Sequence, residues 1–249
     1  MRLFLVIILF LTASCASFSE RKEKSDLHLQ LGISYFDNAN YPMALNEFLK
    51  AEQLQSNDPV VQNNLGLTYF MREKYELSEK HFRRAISIEP RFTDARNNLA
   101  RLLIEKKQYD EAEKELRTVL NDLTYTGLEK AYINLGLSHF HQKKYDLAKT
   151  SFLKAIEQQQ DSCVANNYYG RSLFEMTDYK RALVALERAI SFCQKSYFDE
   201  PHYFSALTLY RMGEKDKSIS RLQEVIKLYP QGRYQDRSRA MIDIIRKVQ

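Results

Sequence analysis

Residues 59–92 read PVVQNNLGLTYFMREKYELSEKHFRRAISIEPRF, and residues 129–162 read EKAYINLGLSHFHQKKYDLAKTSFLKAIEQQQDS. Both stretches carry a glycine at the eighth position, a tyrosine at the seventeenth and a phenylalanine at the twenty-fourth. In each stretch, apolar residues recur every three or four positions on both sides of a short polar segment. This spacing predicts two amphipathic helices joined by a tight turn.

The same register extends over most of the chain, with offsets of 34, 34, 36, 34 and 36 residues. The first series consists of small residues: Gly32, Gly66, Ala100, Gly136, Gly170 and Ala206. A second small series follows twelve residues later: Ala44, Ser78, Ala112, Ala148, Ala182 and Ser218. A glycine inside a helix costs about 1 kcal/mol relative to alanine, so four of them need a packing reason. The small residues predict that the two helices of each repeat approach closely.

These positions resemble the consensus of the tetratricopeptide repeat (TPR). The resemblance implies an all-α fold, a superhelical solenoid of helix-turn-helix repeats. It covers residues 25–232 as six repeats, which are 25–58, 59–92, 93–126, 129–162, 163–196 and 199–232. Apolar residues then recur among charged ones over residues 233–249, which predicts an amphipathic helix that caps the array.

The N-terminus carries a different pattern. An apolar run extends from Leu3 to Leu11 after a single arginine, which is too short to span a bilayer and is typical of a secretory signal. Small residues lead directly to Cys15. Residues 1–14 with Cys15 resemble a bacterial lipoprotein signal, which implies lipidation of Cys15 and, with Ala16 next to it, delivery to the outer membrane. The alternative is an ordinary cleaved signal with a chance cysteine. Residues 15–24 are expected to form a flexible tether.

The composition argues against several function classes. The 249 residues include only seven glycines and five prolines, few for a β-sandwich or barrel. The net charge of +5 is spread along the chain, with no basic block of the kind that nucleic-acid binders carry. No phosphate-binding loop, metalloprotease motif or nucleophile elbow is present. We therefore expect no catalytic residue, metal, cofactor, small-molecule substrate or nucleic-acid partner.

Two cysteines fall within the fifth repeat. Cys163 is expected at the start of its first helix and Cys193 near the end of its second. These two ends are neighbours in an antiparallel helix pair, and the lipoprotein signal implies an oxidising compartment. The sequence favours a structural disulfide between them. The alternative is two separate buried thiols.

In TPR arrays the first helices form the concave face, where partners bind. The sixth position of successive repeats gives Asn64, Asn98 and Asn134, whose amides could hold the backbone of an extended peptide. The alternative is that asparagine is simply common there. Leu29, Ile33 and Phe36 make the inner face of the first repeat apolar, either for a partner or for contact with the next repeat. A second apolar set, in the sixth repeat, serves either a partner or packing under the capping helix: Tyr203, Phe204, Leu207 and Tyr210.

The lipoprotein signal, the six TPRs, the total length and the late cysteine pair together resemble the TPR pilotins, lipoproteins of type IV pilus biogenesis. The resemblance implies a non-enzymatic scaffold, anchored in the outer membrane through lipid on Cys15 and facing the periplasm. Its protein partner would be the pilus secretin subunit, whose localisation and assembly it would promote. The alternative is a TPR lipoprotein adaptor for another envelope process, such as outer-membrane protein insertion or regulation of cell-wall hydrolases.

Overall fold

The computed structural model describes the backbone of residues 2–193 and 198–247, and side chains within these ranges from residue 19 onward. This part of the chain contains thirteen α-helices and no strand. They are α1 (Arg2–Asp37), α2 (Tyr41–Leu54), α3 (Pro59–Met71), α4 (Tyr75–Ile88), α5 (Thr93–Glu105), α6 (Tyr109–Leu120), α7 (Leu128–His141), α8 (Tyr145–Gln158), α9 (Cys163–Glu175), α10 (Tyr179–Phe192), α11 (Glu200–Arg211), α12 (Lys215–Leu228) and α13 (Gln235–Lys247). The predicted all-α TPR fold class, six helix-turn-helix repeats and a final helix, is confirmed.

The hairpins follow the repeat register closely. The first helices α3, α5, α7, α9 and α11 each begin within one residue of a predicted repeat start. Local chemistry sets some of these starts. The Asp58 carboxylate accepts hydrogen bonds from the backbone N–H groups of Val60 (2.7 Å) and Val61 (3.2 Å), and Pro59 occupies the first turn of α3. A side-chain cap with proline behind it is a strong helix start signal.

Every hairpin turns through one residue in the left-handed backbone region. The six residues occupy the same repeat position and have φ between 56° and 86°: Ala39, Glu73, Lys107, Lys143, Thr177 and Gly213. The N–H of the next residue then bonds back to a carbonyl near the end of the first helix, as from Lys74 to Tyr69 at 2.9 Å. This bond satisfies a carbonyl that the helix end would otherwise leave unpaired. Only the sixth turn uses glycine, so the sequence does not mark the other five.

The chain divides into two compact units, residues 1–108 (unit 1) and residues 109–249 (unit 2). In unit 1 a fully buried core surrounds Phe48: Ala44, Ala51, Val61 and Leu65. In unit 2 the final helix α13 packs on α12, and its Ile242 and Ile245 join Ala206 and Leu222 in a buried cluster. The predicted capping helix therefore covers the apolar side of the last hairpin.

The glycines of the first helices face large apolar side chains of the second, a phenylalanine for Gly32, Gly66 and Gly136 and a leucine for Gly170. A Cβ added at Gly66 would lie 2.5 Å from the Phe82 ring, and one added at Gly136 would lie 2.5 Å from the Phe152 ring. Both rings are almost completely buried, so they have no room to retreat. Glycine is required here because the ring of the partner helix occupies the space of a side chain.

Residues 17–24, expected to be a flexible tether, lie within α1 instead. The segment contains neither glycine nor proline, and Lys24 pairs with Glu20 one turn earlier at 2.6 Å. Ser25, which follows, is buried and donates a hydrogen bond to the Ala51 carbonyl at 3.1 Å. Charged helix formers next to an anchored helix continue that helix, although they show no apolar periodicity.

The signal sequence over residues 1–14 and the lipidation of Cys15 concern side chains outside the described residues, so both stay predictions. Within the described part of the chain, no helix combines the length and the apolar character needed to cross a bilayer.

Candidate protein-binding faces

The cysteine pair closes the fifth hairpin. Cys163 is the first residue of α9, Cys193 is the C-cap of α10, and the two form a disulfide with a Cα–Cα distance of 5.1 Å. The bond joins the open ends of two antiparallel helices, opposite the turn at Thr177. Of the two arrangements considered from the sequence, the bonded pair is the one that the structure contains.

The first helices of successive hairpins contact each other within each unit: α1 with α3 and α3 with α5 in unit 1, and α9 with α7 and α11 in unit 2. Residues at equivalent repeat positions on these helices therefore share one face. We call this surface the first-helix face. It is the candidate site, because it is the surface on which the sequence predicts partner binding.

The three apolar residues predicted on the first-helix face of α1 divide into two groups. Leu29 and Phe36 are partly buried and pack on the core around Phe48, and Phe36 also meets the ring of Tyr41 at 5.4 Å. Ile33 keeps 37% of its surface exposed. The first two residues thus serve hairpin packing as well, while Ile33 is available to a partner.

Helix α3 extends this apolar surface in unit 1. Leu67 and Phe70 stand at the repeat positions of Ile33 and Phe36 and are half-buried. Met71, beside Phe70, is 45% exposed. Partly exposed apolar side chains on two adjacent helices form a strip that an apolar segment of another protein could cover.

The three asparagines make contacts within the protein. The Asn64 amide donates to the Val60 carbonyl of its own helix at 2.9 Å, and the Asn98 amide donates to the Asn63 side chain at 2.9 Å. Asn134 is only 6% exposed and lies in unit 2. Asn64 and Asn98 are partly exposed at the apolar strip of unit 1, where they could also reach a peptide backbone.

The first-helix face of unit 2 is organised around Arg171. Its guanidinium lies over three aromatic rings, with centroid distances of 4.6 Å to Phe140, 5.0 Å to Tyr168 and 4.3 Å to Phe204. These rings come from α7, α9 and α11, so one side chain links three successive hairpins. Cation–π contacts of this kind are strongest where water is excluded, and the Arg171 side chain is only 15% exposed.

Glu200 neutralises Arg171. Its carboxylate accepts hydrogen bonds from Arg171 (2.9 Å), from the Asn167 amide (2.8 Å) and from the Tyr234 hydroxyl (2.6 Å). Burial and this acceptor raise the pKa of the Tyr234 phenol well above its ordinary value. Glu200 is 4% exposed, so the network is a buried polar centre within an aromatic cluster. Within the described part of the chain, the Arg171 Nε and the Asn167 Oδ1 have no hydrogen-bond partner.

The aromatic set predicted in the sixth repeat belongs to this packing. The rings of Tyr203 and Tyr234 stack at 4.6 Å, and Phe204 meets Tyr234 at 5.9 Å. Tyr203 and Tyr210 also pack against the buried cluster that contains Ile242 and Ile245 of α13. Of the two roles predicted for this set, Tyr203, Phe204 and Tyr210 therefore have the role of packing under the capping helix.

The two first-helix faces thus differ in what they offer a partner. In unit 2, Arg171 is enclosed by aromatic rings and paired with Glu200. In unit 1, Ile33 and Met71 remain exposed beside partly exposed asparagines. The unit 1 face is the better candidate for binding an apolar protein segment.

Three stretches of the chain match family models described as tetratricopeptide repeat: residues 69–124, 129–162 and 205–232. No curated protein matches the sequence significantly. The matched repeats agree with the observed hairpins. Repeats of this type generally act as non-catalytic modules for protein interaction.

Among solved structures, the chain is similar to PilF of Pseudomonas aeruginosa, with a TM-score of 0.75, 21% identity, and coverage of 89% of this chain and 99% of that one. It is also similar to PilW, a type IV pilus biogenesis factor, with a TM-score of 0.77, 17% identity, and coverage of 84% and 95%. The Cut9–Hcn1 complex gives a TM-score of 0.79 at 14% identity, but the match covers 90% of this chain and only 43% of that one. At these identities the similarity shows the fold.

Proposed function

We propose that this chain is a TPR pilotin, a non-enzymatic scaffold that binds the type IV pilus secretin and promotes its assembly in the outer membrane. The observation that carries the proposal is the extent of the match to PilF and to the type IV pilus biogenesis factor PilW, 99% and 95% of whose chains are covered. The Cut9–Hcn1 match covers 90% of this chain but only 43% of that one, and MamA of Desulfovibrio magneticus is covered over 97% of its chain but matches only 70% of this one. A match over nearly the full length of both compared chains argues that they share the same number and arrangement of repeats.

The N-terminus supplies the location in this proposal. Lipid on Cys15 anchors the chain in the outer membrane, with the folded repeats in the periplasm. Several acyl chains hold a protein stably, because each buried CH₂ contributes about 0.8 kcal/mol. Helix α1 runs from this region directly into the first hairpin, so the unit 1 face would lie near the anchor along the chain.

The partner site in this proposal is the first-helix face of unit 1. An apolar segment of the secretin would cover Ile33 and the strip formed by α3, and the amides of Asn64 and Asn98 would meet its polar backbone. Binding energy at such interfaces is concentrated in a few apolar contacts that exclude water. Among the described side chains of α1, Ile33 is an exposed apolar residue on this face, and it is therefore the residue to test.

We predict that Ile33→Glu weakens co-purification of the secretin with the full-length chain by about tenfold or more, because a carboxylate would be buried without a partner. The matched control is Leu31→Glu. Leu31 is 42% exposed, close to the 37% of Ile33, but it lies two residues away and points about 200° around the same helix. Binding should survive in this control. An equal loss of secretin binding in both variants, or no loss in either, would contradict a binding site at Ile33.

A further inference from the structure

An apolar groove lies on the other side of the helices, away from the first-helix face of unit 2. It has a volume of about 270 Å³ and is lined by residues of α8, α9 and α10: Leu153, Ile156, Asn166, Tyr169, Arg181, Val184, Ala185 and Arg188. Helix α9 contacts both α8 and α10 and contributes the floor between them. Leu153 and Val184 are 43% and 65% exposed, so apolar surface reaches solvent.

The equivalent groove of unit 1 is polar. Its lining includes Glu52, Lys80 and His81, which stand at the repeat positions of Ile156, Val184 and Ala185. There the imidazole of His81 is hydrogen-bonded to Gln62 at 2.8 Å, and the Gln62 amide donates to Glu52 at 2.9 Å. A hydrogen-bonded network occupies the position where unit 2 carries apolar side chains.

The two neighbouring grooves of unit 2 are also filled by polar groups. Between α10 and α12, Arg221 takes the position of Ala185 and pairs with Glu187 at 2.9 Å. Between α6 and α8, Ser151 takes the position of Ala185 and donates its hydroxyl to the Leu147 carbonyl at 3.0 Å. Lys154, at the position of Arg188, extends over the Tyr132 ring at 5.5 Å. The groove beside Ala185 differs from the other three because its central side chain is the smallest at that repeat position.

Two arginines line this groove. Arg181 pairs with Asp178 at one end. Arg188 at the other end is exposed, and its guanidinium has no hydrogen-bond or ion-pair partner among the described residues. A guanidinium fork matches a carboxylate with two parallel hydrogen bonds. The groove therefore offers an apolar floor next to an available anion-binding group.

We propose that this groove docks a segment of a partner protein that presents one or two apolar side chains beside a carboxylate. A cavity of about 150 Å³ accepts one benzene ring, so the volume suits side chains of this size. Arg181 and Arg188 are seven residues apart on α10, about 10 Å along the helix. A lipid acyl chain needs about 15 Å, half of a bilayer's hydrocarbon thickness, so the groove is too short for it. The proposal stands independently of secretin binding.

The test titrates the purified full-length chain into a fluorescent twelve-residue peptide that carries two leucines four residues apart, flanked by glutamates. We expect saturable binding that Arg188→Glu weakens about tenfold or more, since an interface charge pair becomes a repulsion. A second peptide with lysines in place of the glutamates should bind the Arg188→Glu chain better than the wild type. If reversing both charges restores binding, the charge at position 188 contacts the charged residues of the peptide.

Two variants test the apolar floor. Ala185→His introduces the side chain that unit 1 carries at the same position, His81, and Val184→Ser removes an exposed apolar side chain without adding a charge. Each should weaken binding of the glutamate peptide about tenfold. Val184 is exposed, so its replacement leaves the fold intact. The control is Arg84→Glu, which changes the residue of unit 1 at the repeat position of Arg188. This variant should bind the glutamate peptide as tightly as the wild type does.

Three results would overturn the proposal. The first is a lack of saturable peptide binding. The second is peptide binding that neither Arg188→Glu nor Val184→Ser changes. The third is that Arg188→Glu loses binding to phosphatidylglycerol vesicles but keeps binding to the peptide. The last result would assign the groove to an anionic lipid headgroup. None of these results bears on the secretin assay, so the two proposals fail separately.

Discussion

Arg171→Met is expected to lower the free energy of unfolding of unit 2 by about 3–5 kcal/mol, the usual cost of removing one partner of a buried ion pair. The carboxylate of Glu200, only 4% exposed, would keep two neutral donors but lose its cation. The guanidinium would also leave the rings of Phe140 and Phe204, which it joins across α7 and α11. The measurement is urea unfolding followed by circular dichroism at 222 nm.

The double variant Arg171→Met with Glu200→Gln should recover part of this loss. Glutamine is neutral. Its amide oxygen can accept the hydrogen bond from Asn167, and its NH₂ group can donate to the hydroxyl oxygen of Tyr234, so no charge stays buried without compensation. Arg181→Met, which removes an exposed arginine of the neighbouring helix α10, should leave the urea midpoint nearly unchanged. If Arg171→Met behaved like this control, Arg171 would not hold the aromatic cluster together.

Replacing Cys163 and Cys193 together with serine should destabilise unit 2 by roughly 3–4 kcal/mol on the chain-entropy model of disulfides. The bond spans a sequence separation of 30 residues, and its loss allows the open ends of α9 and α10 to separate in the unfolded chain. Urea unfolding of the double variant should match that of the wild type under reducing conditions. The variant itself should not respond to the reductant.

Peptide mass mapping without reduction provides an independent check of this bond. The account predicts one cross-linked peptide pair that contains both Cys163 and Cys193. Free thiols at both positions in protein taken from an oxidising compartment would contradict it, as would equal stability of the wild type and the double variant.

The repeat register explains why so much of the fold could be predicted. Glycines such as Gly66 and Gly136 face buried phenylalanines, so a packing constraint between two helices appears in the sequence as a fixed spacing. The same spacing located the helix starts and the cysteine pair. The left-handed turn residues could not be found in this way, since Glu73 and Lys143 carry no glycine-like signal and owe their conformation to the helix on each side.

The candidate sites were harder to predict because they depend on which side chains meet across helices. Phe140, Arg171 and Phe204 lie 31 and 33 residues apart, and nothing in their local sequences shows that they form one cluster. Residues 17–24 carry no apolar periodicity, which predicts a tether, but they are helical because charged helix formers continue α1 from its anchored residue Ser25. The groove beside Ala185 could not be predicted from the local sequence, because it depends on a small side chain at the repeat position where unit 1 carries His81.

The central claim is that this chain promotes assembly of the pilus secretin in the outer membrane. The most direct measurement is a blot for the heat-resistant secretin multimer in fractionated membranes of three strains: wild type, a deletion of the chain, and the deletion complemented with Cys15→Ala. We predict loss of outer-membrane multimers in the deletion strain, and reduced or mislocalised multimers in the Cys15→Ala strain. Normal outer-membrane multimers in all three strains would contradict the account and leave a TPR scaffold that serves another partner.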